Sequence, residues 1–299
     1  MSSLPSLVAQ KQNAPTDPKA GPAPNQTLDA LVAGCTENCP RCHAKITSAQ
    51  VKEMFSNASD DRVNTVRDYF NQYMENVEII RCLRKAHFFA QILGEVDNAL
   101  SPLSENLHYT RTRMTQVFGA GVDHRHPGAL AAADSGDQRA IGNALYAGAN
   151  GNGNVASGDG YNYRGRGYIQ ITGRGTYAGS QGVITTKMAG AGIDVVANPD
   201  DASTPKGAII SAMGYWYWKA PSLNRMADQG DASATVNQVT HTVRGGADAA
   251  IDLRRRTAYQ TTMRVFRTPE CVDRNKPSSQ AIPWVQSDGL QSSGSTTFA

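Results

Sequence analysis

Two glutamates, Glu95 and Glu105, stand ten residues apart in the most strongly patterned part of the chain. Glycoside hydrolysis needs two carboxyl groups on opposite sides of the scissile bond. One gives a proton to the leaving oxygen, and the other activates water or attacks the sugar. Spacing alone does not assign this chemistry, because solvated glutamates at helix ends occur at the same separation. Asp97 is a competing partner by the same logic.

The apolar pattern before Glu95 predicts the helix that positions it. Apolar side chains recur at steps of four and three, which predicts a buried stripe on a helix that ends near Gly94: Ile79, Leu83, Ala86, Ala90 and Leu93. A carboxyl group at a helix C-terminus faces the negative end of the helix dipole, and apolar neighbours also favour its protonated form. Glu95 therefore suits a general acid. A turn at Ser101-Pro102 would fold the chain back and set Glu105 across a groove.

The remaining patterns predict an α+β, mainly α fold, with helices around a small extended region. Thr47 to Gln50 has the form of a capping box, and Thr204-Pro205 has the form of an N-cap followed by Pro at the first helical position. A last long helix is predicted from Ala247 to Val265. After a Gly- and Asn-rich loop, the alternation from Tyr168 to Thr172 predicts a short strand or extended segment beside a cleft.

The bulk composition sets the domain layout and excludes some function classes. The chain has 299 residues, is 40% hydrophobic and carries a net charge of +3, which does not argue for nucleic acid. It has no apolar run long enough to predict a membrane span. We predict a flexible Pro-rich lead (1–28), a small N-terminal helical segment with a cysteine cluster (29–78), a catalytic domain (79–270) and a C-terminal tail (271–299). The lead lacks the features of a cleavable secretory signal.

The cysteines suggest a zinc site near the N-terminus. Three thiolates and an imidazole fall close together and form a reasonable structural zinc set: Cys35, Cys39, Cys42 and His43. A local disulfide or free thiols are the alternatives, and the adjacency of Cys42 and His43 strains joint ligation. The five cysteines are an odd number, which argues against a fully paired framework. Cys82 lies on the buried helix as an inert thiol or as a partner of Cys271.

Three longer strings occur in order along the chain. They are Ala86-His-Phe-Phe-Ala-Gln-Ile-Leu-Gly-Glu95, then Ser104-Glu-Asn-Leu-His-Tyr109, then Tyr163-Arg-Gly-Arg-Gly-Tyr-Ile-Gln-Ile-Thr-Gly-Arg174. The chain thereby resembles glycoside hydrolase family 19, which contains chitinases and, more closely similar, phage endolysins and bacterial wall hydrolases. The family pattern is AHFLAQxxHES, then EENLxYS, then GDGxxYRGRGxIQLTGR. The third string is highly specific, and the resemblance covers residues from about 80 to about 260.

The resemblance implies a lysozyme-like helical domain and assigns roles to three residues. Glu95 takes the place of the general acid, Glu105 the place of the second carboxylate, and Gln170 that of the cleft glutamine. Because the family is inverting, Glu105 would act as a base through water, with the carboxyl groups roughly 6.5–9.5 Å apart. No metal or organic cofactor is needed for this chemistry.

Three departures from the family pattern accompany the resemblance. Gly94 stands where the family has His, one extra residue separates Glu95 from Glu105, and Arg244-Gly245-Gly246 replaces Asn-Gly-Gly. None removes a catalytic carboxylate. The change at Arg244 bears on how sugar or water is positioned.

Other residues near the third string are candidates for substrate binding. We predict that Gln170 and the Thr172 hydroxyl line the cleft, and that Tyr109 or Tyr168 stacks on a sugar ring. For any single tyrosine, core packing is the alternative. Arg166 would contact substrate or orient a glutamate by charge-assisted hydrogen bonds, and its alternative role is to pin its own loop.

The leading functional hypothesis is a peptidoglycan glycosidase that cuts between N-acetylmuramic acid and N-acetylglucosamine. The chain would be a secreted antibacterial effector or a phage-type endolysin, made in the cytoplasm and acting at the periplasmic wall of a target cell. Its partners would be peptidoglycan and a cognate immunity protein or secretion-system carrier. A chitinase is the alternative within the reaction class, although the short carboxylate spacing favours the wall. A glycan-binding module without catalysis is the third hypothesis, kept open by Gly94 and Arg244.

Overall fold

The computed structural model describes residues 39–219 and 222–272, which form helices around one small sheet. The helices are α1 (Ser48–Met54), α2 (Asp60–Tyr73), α3 (Cys82–Leu93), α4 (Arg111–Phe118), α5 (Val122–Arg125), α6 (Ala129–Ser135), α7 (Gln138–Tyr146), α8 (Asp159–Asn162), α9 (Arg174–Lys187), α10 (Pro205–Trp218), α11 (Ser222–Ala227), α12 (Ser233–Arg244), α13 (Ala249–Phe266) and α14 (Thr268–Val272). Strands β1 (Leu103–Ser104) and β2 (Arg166–Gly167) pair antiparallel, with Leu103 opposite Gly167. This architecture confirms the predicted α+β, mainly α class.

Helix α3 lies in the largest of three buried apolar clusters in the described residues, packed against α13. Its Phe88 and Phe89 rings are fully buried and contact Phe70 of α2, while Phe88 also meets Trp216 of α10 edge-on. Side chains of α1 and α2 belong to the same core as α9 to α13. The boundary predicted between residues 78 and 79 therefore does not separate two cores in the described part of the chain.

A second, smaller core lies under helices α4 to α7. Its buried members are mostly aliphatic and small: Leu107, Met114, Phe118, Val122, Ala129, Ala132, Ala133, Ile141, Ala144, Leu145 and Tyr146. The segment that carries Glu105 enters this core at Leu107 directly after β1. Glu105 thus stands at the junction of the small sheet and the second core.

Local capping chemistry sets several helix ends as the sequence predicts. Thr47 and Gln50 form a reciprocal capping box at the start of α1, and the Thr204 side chain accepts from Gly207 N with Pro205 at the first turn of α10. The last long helix begins two residues later than predicted. Asp248 is its N-cap, and the Asp248 side chain accepts hydrogen bonds from the backbone of Ala250 and Ile251.

Residues 168–172 form a tight turn after β2 rather than the predicted short strand or extended segment, which is confined to β2 itself. Arg166 and Ile171 bridge to each other across that turn. Gly167 and Gln170 both adopt positive φ, 82° and 53°, which reverses the chain direction. The apolar alternation reflects a turn whose Tyr168 and Ile171 side chains point into the core. None of the helices within the described ranges is long and apolar enough to cross a membrane.

Candidate active site

Glu95 lies one residue past Gly94, the C-cap of α3, and its side chain is mostly enclosed. The Glu95 side chain is 10% exposed, and its Oε2 accepts a charge-assisted hydrogen bond from the Arg255 guanidinium of α13. Arg255 also donates to the carbonyl of Gln91, 2.7 Å away. Burial lowers the pKa of Arg255, and the adjacent Glu95 charge opposes that shift. The carboxylate is therefore held by one oxygen in a fixed orientation.

Glu95 was expected to have apolar surroundings, but the structure also places a polar neighbour, Arg255, beside it. Arg255 fills the space that a side chain at position 94 would need. A Cβ at Gly94 would lie 2.5 Å from Arg255 Nη1 and 2.6 Å from Arg255 Cδ. Glycine at position 94, where the family pattern has His, thus leaves room for the arginine that pairs with Glu95.

Glu95 opens onto a small cleft that also contains Gln170 and Thr172. The cleft is shallow and open to solvent, and its lining consists of Glu95, Ile169, Gln170, Ile171, Thr172, Thr176, Tyr215, Val243, Arg244 and Arg255. The Thr172 hydroxyl donates to Gln170 O, and Gln170 Nε2 donates to Gly167 O. Gln170 adopts a positive φ of 53°. A non-glycine residue at positive φ costs on the order of 1 kcal/mol or more, and such strain concentrates at functional sites.

Glu105 is clamped to the loop that precedes β2. Its backbone N–H donates to Gly165 O at 2.7 Å, and its Oε2 accepts from Gly165 N at 3.1 Å. Glu105 Oε1 accepts from the Tyr146 hydroxyl at 2.5 Å. A Cβ at Gly165 would lie 2.8 Å from Gln170 Oε1 and 3.2 Å from Thr172 Oγ1. Glu105 therefore sits one glycine away from the cleft side chains, and both of its carboxyl oxygens accept hydrogen bonds.

Asp97, the competing second carboxylate, has a structural position instead. It is exposed, and its Oδ1 accepts from the backbone N–H groups of Ala99 and Ser101. This pattern closes the turn between α3 and β1, and neither Asp97 nor Glu105 is among the residues that line the cleft around Glu95. Of the carboxylates weighed from the sequence, Glu105 is the one joined to the Gln170 turn.

A curated relative decides the family. A protein from Haemophilus influenzae described as a glycosyl hydrolase family 19 domain-containing protein is 30% identical over 185 residues, which span 62% of this chain and 82% of the relative. The chain belongs to glycoside hydrolase family 19. It is accordingly a glycoside hydrolase, and its catalytic region carries the AHFFAQ and YRGRGYIQITGR strings.

Solved family 19 chitinases show similarity at lower levels. A mutant of chitinase C aligns with a TM-score of 0.45 and 15% identity over 78% of this chain and 96% of that one. Chitinase C from Streptomyces griseus aligns with a TM-score of 0.42 and 16% identity over 77% of this chain and 78% of that one. No family model matches the chain. The family assignment rests on the relative from Haemophilus influenzae.

Two of the predicted substrate-binding residues are corrected, because they are buried in this family 19 domain. Arg166 is 2% exposed, and it donates to Asn162 O, the Tyr177 hydroxyl and Asp200. It pins its own loop, the alternative raised from the sequence. Tyr168 is fully buried, which raises its pKa above the usual range, and it has no face open to a sugar.

Tyr109 remains a candidate for substrate contact. It is half-buried, with its ring against Phe118. Burial raises the pKa of Tyr109 to about 12, and the nearby charge of Glu105 acts in the same direction. Tyr109 thus lies within electrostatic reach of Glu105, on the side of the second core.

Sequence reasoning missed Arg255 and Tyr146, the residues that fix the two glutamates, and did not anticipate Tyr215 in the cleft lining. Arg244, which replaces the family's Asn, does line the cleft. It is 9% exposed, donates to Gly246 O and lies 3.5 Å from Asp248. Its guanidinium therefore braces the connection between α12 and α13 as well as facing the cleft.

The predicted zinc set is only partly brought together. Cys39 and Cys42 lie beside Cys82 and Cys271, with the four sulfur atoms within 4.8 Å of one another. His43 is exposed and is not part of this buried group. Cys35 lies outside the described residues. Cys82, expected to be inert or to pair with Cys271, contacts Cys39 and Cys42 instead.

Proposed function

We propose that this family 19 enzyme hydrolyses the β-1,4 bond between N-acetylmuramic acid and N-acetylglucosamine in peptidoglycan. The supporting observation is the placement of two oriented carboxylates around one turn. Glu95 shares a cleft with Gln170 and Thr172, and Glu105 is bound to Gly165, whose other side faces those two side chains.

The proposed reaction divides the roles between the two glutamates. Glu95, with Oε2 held by Arg255, gives a proton from its other oxygen to the glycosidic oxygen, and the bond to the anomeric carbon breaks. Glu105 takes a proton from a water molecule, whose oxygen attacks the anomeric carbon from the opposite face. The hydrogen bonds from the Gly165 N–H and the Tyr146 hydroxyl hold the Glu105 carboxyl group in a fixed orientation for this step.

Gln170 and Thr172 are proposed to hold the sugar or the attacking water. Gln170 Nε2 is directed to its own loop, so its Oε1 is the atom offered to a ligand near Gly165. Thr172 and Arg244 contribute further polar atoms on the same cleft wall. The strained φ of Gln170 is consistent with a residue kept for its ligand contacts rather than for stability.

If peptidoglycan is the substrate, the enzyme must reach a bacterial cell wall, and we include this setting in the proposal. The enzyme would act at the periplasmic wall of a target bacterium, delivered by a secretion-system carrier or released during phage lysis. A producer exposed to its own enzyme would need an immunity protein that blocks the cleft.

The test is digestion of purified peptidoglycan and of chitin oligomers, with products identified by mass spectrometry. We expect muropeptides with reducing-end N-acetylmuramic acid. Glu95→Gln should abolish their release, and Asp97→Asn, a neutralised carboxylate two residues on, should leave it intact. Cleavage of chitin oligomers alone would make the protein a chitinase. Folded protein that binds but cleaves neither polymer would make it a glycan-binding module.

A further inference from the structure

Four cysteines from three distant parts of the chain meet in one buried group. Cys39 and Cys42 precede α1, Cys82 is the first residue of α3, and Cys271 lies in α14. Each is between 2% and 5% exposed. Cys39, Cys42 and Cys82 are free thiols, whereas Cys271 is disulfide-bonded.

The spacing of the sulfur atoms fits a single tetrahedral metal ion. The Sγ–Sγ distances are 3.9 Å for Cys39–Cys82, 3.8 Å for Cys42–Cys82 and 3.6 Å for Cys42–Cys271. With a Zn–S bond of about 2.3 Å, a regular tetrahedron has S–S edges of about 3.8 Å. An iron–sulfur cluster would hold its cysteines farther apart, because several irons and sulfides lie between them. Thiol hydrogen bonds alone are weak and do not explain such a compact group.

The surroundings of the group hold its shape and balance negative charge. The Cys39–Cys42 turn is closed by a hydrogen bond from Cys42 N to Cys39 O. Lys85, 2% exposed, donates its ammonium protons to the carbonyl of Arg41 in this turn and to that of Ala44, two residues beyond it. This buried cation lies on the first turn of α3 beside Cys82, so it both braces the turn and offsets thiolate charge.

We propose that Cys39, Cys42 and Cys82 bind a structural Zn²⁺ ion through their thiolates. The sulfur of Cys271 takes the fourth position when a reductant opens its disulfide, and water takes that position otherwise. Soft thiolate ligands in a compact tetrahedron select zinc among common divalent ions. The ion ties the segment before α1 to the start of the helix that carries Glu95. The proposal does not depend on the substrate of the enzyme.

Metal analysis of the full chain tests this site. Protein purified with zinc should carry about one Zn²⁺ per chain by mass spectrometry of the metal, with or without a phosphine reductant. The reductant should slow zinc loss to a chelator, because it opens the disulfide of Cys271 and so frees the fourth thiolate. Cobalt substitution should give the intense visible bands of a tetrahedral thiolate complex, which tests the wild-type chain even where a variant fails to fold.

Variants separate this ligand set from the one predicted from the sequence. Cys82→Ser should lose the ion, whereas Cys35→Ser and His43→Ala should keep it. Loss of zinc in Cys35→Ser or His43→Ala would overturn the proposed set. Wild-type protein without zinc, with Cys39, Cys42 or Cys82 found in disulfides by non-reducing peptide mapping, would overturn the site altogether.

Discussion

Replacing Gly94 with Ala tests whether this position must stay open for Arg255. The new Cβ would lie 2.5 Å from Arg255 Nη1 and 2.6 Å from Arg255 Cδ. The backbone at Gly94 has φ −78° and ψ −7°, which alanine adopts readily. Any effect must therefore come from the displaced arginine rather than from backbone strain.

The expected magnitude follows from the burial of the ion pair. The side chains of Arg255 and Glu95 are 4% and 10% exposed. Removing one partner of a buried pair costs about 3–5 kcal/mol. Because water in the cleft can replace part of the contact to Glu95, we expect a loss of about 1–3 kcal/mol, or roughly 2–4 °C in Tm for each kcal/mol. A misplaced acid also lowers kcat, by about 10- to 100-fold.

The matched control is Gly182→Ala on α9, where nothing lies within 4 Å of the added Cβ. This exposed helical position should gain up to about 1 kcal/mol and keep full activity. Thermal unfolding by circular dichroism and clearing of peptidoglycan suspensions measure the two effects. If Gly94→Ala matches the wild type in both, the proposed coupling of Gly94, Arg255 and Glu95 is refuted.

Three further variants probe the base, the strained turn and a buried histidine. Glu105→Gln should lower kcat by about 10²- to 10⁴-fold and remove the rising limb of the pH–rate profile; a retained limb would exclude Glu105 as the base. Gln170→Gly should relieve its positive φ and hold or raise stability by up to about 1 kcal/mol while activity falls, whereas Glu78→Gly, also at positive φ, should keep activity; intact activity in Gln170→Gly would remove it from the site. Burial lowers the pKa of His87 to about 4. The unfolded chain takes up this proton near pH 6.5, so stability is full above that pH and falls by about 2 kcal/mol between pH 7 and pH 5. Urea unfolding should show a flatter pH dependence for His87→Gln; an unchanged dependence would assign it to other groups.

Local patterns were sufficient to place Glu95 at the end of a buried helix. A buried helix face needs apolar residues at steps of four and three, and this stripe predicted a helix that ends near Gly94. Helix α3 ends at Leu93. The same logic failed for residues 168–172, since an alternating apolar pattern arises equally from a strand and from a tight turn with two buried side chains. Only the positive φ values of Gly167 and Gln170 distinguish them, and a glutamine at such a φ has no local sequence signal.

The partners of the two glutamates depend on contacts between distant parts of the chain. Arg255 reaches Glu95 across 160 positions, and Tyr146 reaches Glu105 across 41. The cysteine group shows the same limit, because neighbours in sequence suggested His43 whereas the fold brings in Cys82 and Cys271. Packing of α13 and α14 on α3 brings Arg255 to Glu95 and Cys271 to Cys82, and no local period encodes these contacts.

The configuration of the first hydrolysis product tests the central claim most directly. NMR of a soluble peptidoglycan fragment in the first minutes of reaction reports the anomer formed before mutarotation. If Glu95 is the acid and Glu105 activates water, the new reducing end appears as the α-anomer. A β-anomer formed first would mean a retaining mechanism and would contradict the role assigned to Glu105.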